Sequence, residues 1–114
     1  MLFSDLSVSE ETHDASGTEF AIEHDSALRW HGTVRVAEGE LGTPHPLVAL
    51  TIDSIGGAIS LAYSEGASNP VVRFSGRVTC DSIFGEWRPY PGIVKRKTYR
   101  RVAHSGAIPT AADQ

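Results

Sequence analysis

The pattern Arg29-Trp30-x-Gly32-x-Val34-x-Val36 returns forty-four residues later as Arg73-Phe74-x-Gly76-x-Val78-x-Cys80, so one half-buried strand is written twice. In each copy the aromatic, the glycine and the aliphatic residues occupy alternate positions. A period of two sends them to one face of a pleated strand and sends Arg29, His31 and Arg35, or Arg73, Ser75 and Arg77, to the other. A glycine at an inward position leaves room for a large neighbour or for a sharp bend. Small, strongly curved barrels need such positions.

Turn chemistry extends the pattern. Residues 47–55 and 58–64 read as a hairpin across Gly56-Gly57, because a two-residue turn with positive φ suits paired glycines. That register sets Ile55 opposite Ala58, Ile52 opposite Leu61 and Leu50 opposite Tyr63, giving a continuous apolar face. Residues 71–80 and 83–87 read as a second hairpin across Asp81-Ser82, with Gly85 opposite Val78 and Gly76 opposite Trp87. A residue without a side chain then faces the largest one. Shorter or flanking strands are expected over 19–23, 28–36 and 93–102, with Gly- and Pro-rich loops over 37–46 and 65–70. No segment carries helical periodicity over the ten or more residues a helix needs. The expected fold is all-β: a small antiparallel up-and-down β-barrel, or a strongly curved half-barrel, of six to seven strands. An open sheet would leave edges that invite pairing, so closure or a homodimer through an edge strand is expected.

A chain of 114 residues makes one domain and buries a core without disulfide or metal staples. Residues 1–18 read as an acidic, mobile or peripheral leader whose Leu2, Phe3, Leu6 and Val8 could dock as a short arm, 19–102 as the barrel and 103–114 as a frayed tail. The net charge of −4 is unevenly spread. Asp5, Glu10, Glu11, Asp14, Glu19, Glu23 and Asp25 occupy the first 26 residues without a Lys or Arg, whereas 88–101 holds Arg88, Lys95, Arg96, Lys97, Arg100 and Arg101 without an acid. Such segments attract each other or face a partner of opposite sign. No stretch approaches the roughly 18 apolar residues of a membrane span, and the start lacks a basic, apolar leader. A soluble, cytoplasmic chain with no membrane partner is expected.

Residues able to do chemistry are sparse. Cys80 shares the parity of Val78 and reads as a buried structural thiol. The serines lack a G-x-S-x-G elbow. His13, His24, His31, His45 and His104 are scattered without paired cysteines or an H-E-x-x-H, so no metal or other cofactor is expected. Asp53 and Glu86 lie on the polar parity of their strands. They read as exposed strand residues, or as carboxylates acting as a base or anchoring a polar ligand.

Two segments resemble known families. Asp53-Ser54-Ile55-Gly56-Gly57-Ala58-Ile59 resembles the D-x-S-x-x-G segment of PilZ domains, six-stranded barrels that bind cyclic di-GMP, and Arg96 and Arg100 have their R-x-x-x-R spacing. Here the serine stands one place early and the arginines follow the hairpin instead of preceding it. Gly85-Glu86-Trp87 is the G-x-W triplet of lipocalins, and over residues 71–102 the chain resembles calycin-like small β-barrels in general. That resemblance implies a barrel with a small ligand and an arginine of the last strand, Arg100 or Arg101, covering the tryptophan. The lipocalin triplet stands on the first strand, and here it stands on a late one.

Three functional readings are open. The first is a barrel that binds a small, largely apolar molecule in or at its mouth, lined by Trp30, Leu50, Ile52, Tyr63, Phe74 and Trp87; the same residues would otherwise fill a solid core. The second is a binding module for an anionic partner or nucleic acid through Arg88, Lys95, Arg96, Lys97, Arg100 and Arg101, which put positive groups on both faces of a strand. Trp87, Tyr90 and Tyr99 lie nearby as stacking surfaces. The third is a small-barrel isomerase or cyclase assisted by Asp53, Glu86 or Tyr63, with no catalytic residue assigned.

Overall fold

The structure is a computed structural model that describes residues 1–25, 29–53, 55–64, 71–90 and 92–109, with residues 89 and 90 described by their backbone alone. The strands are β1 (Leu2–Ser4), β2 (Ser7–Val8), β3 (Ala15–His24), β4 (Trp30–Gly39), β5 (His45–Pro46), β6 (Ala49–Ile52), β7 (Ala58–Tyr63), β8 (Val72–Val78), β9 (Ser82–Tyr90) and β10 (Ile93–Val102). Among the described residues there is no helix. All pairings are antiparallel, in the order β5-β4-β3-β1-β10-β9-β8-β7-β6 with β2 alongside β3. The sheet is curled into a half-barrel. The expected loop 65–70 and the start of the strand expected over 28–36 fall outside the described residues.

The count of six to seven strands is corrected to ten among the described residues. Two of the additions come from the segment read as a leader. Phe3 stands opposite Phe20 on one side and Arg101 on the other, and it is fully buried, as Leu6 nearly is. Phe3 and Leu6 are among the residues read as able to dock, but a three-residue strand is too short to show a period, so its place in the sheet was not legible. The third, β5, falls in the stretch read as the loop 37–46, where His45 pairs with Val34 and Pro46 with Thr33. The Leu47 N–H donates to Gly32 O and the Val48 N–H to Ala62 O, each at 2.9 Å, so adjacent residues hold the two ends of the sheet.

The alternation places the core on one face. Phe3, Phe20, Ile22, Val34, Ile59, Leu61, Phe74, Ile83, Trp87 and Tyr99 form the core, with Trp30, Leu50, Ile52, Tyr63 and Val78 half-buried against it. The hairpin registers, in contrast, are each displaced by two residues. Leu50 faces Leu61 and Ile52 faces Ile59, because Asp53 begins the turn: its carbonyl accepts the Gly57 N–H at 2.8 Å and its carboxylate accepts the Ile55 N–H at 3.0 Å. An aspartate bonding its own backbone two residues on competes with the paired-glycine turn and wins. Ile55 is left 97% exposed at the tip.

In the second hairpin Val78 faces Ile83, Gly76 faces Gly85 and Phe74 faces Trp87. Gly76 therefore does not face Trp87. The turn centres on Cys80-Asp81, where the Thr79 hydroxyl bonds Asp81 Oδ1 at 2.8 Å and accepts the Ser82 N–H at 3.2 Å. The paired glycines let backbones approach: a Cβ on Gly76 would meet Phe84 O and Gly85 Cα, and one on Gly85 would also meet Phe74 Cζ. The same turn corrects Cys80, which is exposed, because the strand ends at Val78 before the cysteine's parity matters.

The chain after β10, as far as it is described, returns to β3. Glu19, 2% exposed, accepts the Gly106 N–H at 2.6 Å and the Ser105 hydroxyl at 2.8 Å. Arg35 Nη1 donates to the same Ser105 hydroxyl at 3.0 Å. A carboxylate on the polar face of β3 is thus buried with its acceptor sites filled by the segment after β10, which lowers the cost of taking it out of water.

Candidate functional site

Of the residues expected to line an apolar site, Tyr63, Phe74 and Trp87 lie together on the concave side and pack on one another, with Leu50 and Ile52 half-buried against the same core. Phe74 and Trp87 ring centres are 5.0 Å apart, Phe20 and Trp87 5.9 Å, and Tyr63 meets Trp87 edge-on at 5.7 Å. Trp30 lies apart from that group, stacked on His24 at 4.4 Å. The indole N–H of Trp87 donates to the Tyr99 hydroxyl at 2.6 Å. Tyr99 is 1% exposed, and burial pushes its phenol well above the ordinary tyrosine range, against a smaller downward effect of the Trp87 hydrogen bond. The polar partner of Trp87 is therefore a tyrosine of β10. Of the two arginines expected over it, Arg101 donates to Cys80 O at 3.2 Å and Arg100 lies opposite Ser4 and Ser82.

The basic segment divides between faces, as its alternation requires. Lys95, Lys97 and Arg101 share the parity of Tyr99, and Lys97 lies 4.0 Å from Asp5. Arg88, Arg96 and Arg100 point to the convex side. There the register aligns them with residues from β8. Arg73 is directly opposite Arg88, Ser75 opposite Glu86, Arg77 opposite Phe84, Glu86 opposite Arg96 and Phe84 opposite Thr98. Five arginines thus share the convex face of three adjacent strands, a width of about 10 Å at ordinary strand spacing.

Glu86 ties part of this face together. Its Oε2 accepts from Arg88 Nη2 at 3.0 Å and its Oε1 lies 3.6 Å from Arg96 Nε. Arg88 also donates to the Ser75 hydroxyl at 3.1 Å, and Arg77 donates to Gly56 O. Phe84, 43% exposed, stands among these groups. A hollow of about 300 Å³ lies over the paired strands β9 and β10, lined by Phe84, Gly85, Glu86, Arg96, Lys97 and Thr98.

Sequence reasoning found Arg88, Arg96 and Arg100 but missed Arg73, Arg77 and Phe84. The signal was present: Phe84 is an aromatic on the polar parity of its strand. Tyr99 and Trp87, considered as stacking surfaces, are buried against each other, and the Tyr90 side chain lies outside the described residues. Asp53, Glu86 and Tyr63 are not brought together, since Asp53 shapes the β6–β7 turn, Glu86 is convex and Tyr63 is concave. Ser54 of the D-x-S-x-x-G segment lies outside the described residues. Among the described residues no group of three or more His, Cys, Asp or Glu side chains is placed to hold a metal ion, and no helix is long and apolar enough to cross a membrane.

The fold and this surface define a class: an antiparallel β half-barrel with an aromatic-packed concave side and an arginine-lined convex side. Compared with known proteins, the chain matches no family model, no curated protein and no solved structure.

Proposed function

We propose that this chain is a binding module for an anionic polymer, with single-stranded nucleic acid as the partner, and that the convex face of β8, β9 and β10 is the contact surface. The observation that carries the reading is the direct pairing of Arg73 with Arg88. Like charges directly opposite each other destabilise a sheet; Glu86 offsets Arg88 at 3.0 Å, and a polyanion would neutralise the arginines beyond its reach. The exposed Phe84 among the arginines supplies what a polyanion site alone does not need, an aromatic face on which a base stacks. The apolar-ligand reading draws on Phe74 and Trp87, whose rings already pack on each other and on Phe20. An entering molecule would have to displace those contacts.

Fluorescence anisotropy with a labelled single-stranded oligonucleotide tests the proposal. Binding should weaken with salt, the logarithm of affinity falling against the logarithm of salt by about 0.7 for each neutralised phosphate. Arg73→Gln should lower affinity and reduce that slope while raising folding stability by about 0.2–1 kcal/mol, because the like-charge pair is gone. Absence of salt-dependent binding, or a slope unchanged in the Arg73 variant, would remove the convex face from consideration.

A further inference from the structure

Glu86 is the carboxylate on a convex face of five arginines, where its charge opposes a phosphate chain. Its two oxygens are unequally used. Oε2 takes a hydrogen bond from Arg88 at 3.0 Å, whereas Oε1 stands 3.6 Å from Arg96 Nε, an ion pair beyond hydrogen-bond length. Two guanidinium groups thus hold the carboxylate in place while Oε1 keeps capacity to accept. It borders the hollow of about 300 Å³ that also contains Phe84 and the Thr98 side chain. That volume is at the lower end for small-molecule sites.

We infer that this hollow takes one nucleobase bearing an exocyclic amine, stacked on Phe84 with its amine donating to Glu86 Oε1; the inference rests on the nucleic-acid reading above. Stacking accepts any base, so discrimination at this position comes from the base edge. A carboxylate only accepts hydrogen bonds and pairs well with the amine of cytosine; the amine of adenine offers the same donor. In both bases a ring nitrogen acceptor adjoins the amine, and Arg96, a donor beside Glu86, is complementary to it. Thymine and uracil have no amine. Their single ring N–H is flanked by two carbonyls, which repel the carboxylate.

The full chain is titrated at one low salt concentration with short labelled oligomers of deoxycytidine, deoxyadenosine and thymidine. The first two are expected to bind more tightly than the third by about fivefold or more. Glu86→Gln should bring the three affinities together and leave the thymidine oligomer bound as tightly or more tightly, since an amide both donates and accepts and a negative charge has been removed. Phe84→Ala should weaken all three alike. Equal binding of the three by the parent chain, or a preference that survives Glu86→Gln, overturns the base assignment and leaves the proposed function standing. Failure of all three to bind overturns both. Thermal melts of the two variants establish that each is folded, which their partly exposed positions on one strand face favour.

Discussion

Tyr99 shows how one residue joins core packing to chemistry. Its ring meets Phe20 edge-on at 4.9 Å and its hydroxyl accepts the Trp87 indole N–H. Replacing it with phenylalanine keeps the ring and strands a buried donor, at a cost of about 1–3 kcal/mol. The phenol also makes stability depend on pH. In the unfolded chain it ionises near 10.0, and in the folded chain burial holds the proton to higher pH. Above that point the unfolded chain binds fewer protons than the folded one, so stability falls as pH rises. Urea titrations between pH 8 and pH 11 should show this alkaline loss in the parent chain and a shallower one in Tyr99→Phe. A loss of equal steepness in both would mean that another group is responsible. Tyr99 was legible as an aromatic on the last strand. That it is buried beneath Trp87 was not, because the register that joins them links two strands whose bulge, between Ile93 and Lys95, has no sequence signal.

At the scale of elements the segment before β3 is the instructive case. Its acids and lack of period read as a leader, yet β1 sits between β3 and β10 and closes the gap between the chain's early and late halves. The attraction expected between acidic and basic ends exists, in part as the Asp5 and Lys97 pair. Its exposed setting makes it worth little, however, and the main link is the buried Phe3. Deleting residues 1–18 therefore removes β1, β2 and the first four residues of β3 and is expected to abolish the cooperative thermal transition, whereas Asp5→Asn should leave a folded chain. Circular dichroism melts distinguish the two. A truncated chain that melts sharply near the parent temperature would show β1 to be dispensable. The hairpins were legible as hairpins and their faces as faces. Their registers were misread because Asp53 and Thr79 capture backbone groups with their side chains, a local competition that turn rules based on glycine do not register.

At the scale of the molecule the charge is unevenly spread. The five arginines and Glu86 give the convex face of β8, β9 and β10 +4 in a chain whose total is −4, leaving −8 on the rest. Interactions of exposed charges fade beyond roughly 8–10 Å at moderate salt, so a surface meeting this face responds mainly to the charges it touches. The protein should be retained by a cation exchanger at pH 7 and low salt despite a sequence isoelectric point of about 5.6. The double variant Arg88→Gln, Arg96→Gln should pass through. Free passage of the parent chain would show that the face is neutralised by its surroundings.

Sequence alone determined the alternation, and with it the all-β class and the split of basic residues between two faces, since side-chain direction along a strand is a property of adjacent residues. The tertiary structure alone decided which strands are neighbours. The insertion of β1, the bridging of the sheet ends at Leu47 and Val48, the burial of Glu19 under Ser105 and Gly106, and the facing of Arg73 with Arg88 all join residues distant in the chain. Those contacts form where the summed burial of side chains outweighs the entropy of closing the loops between them, a balance that no local pattern contains.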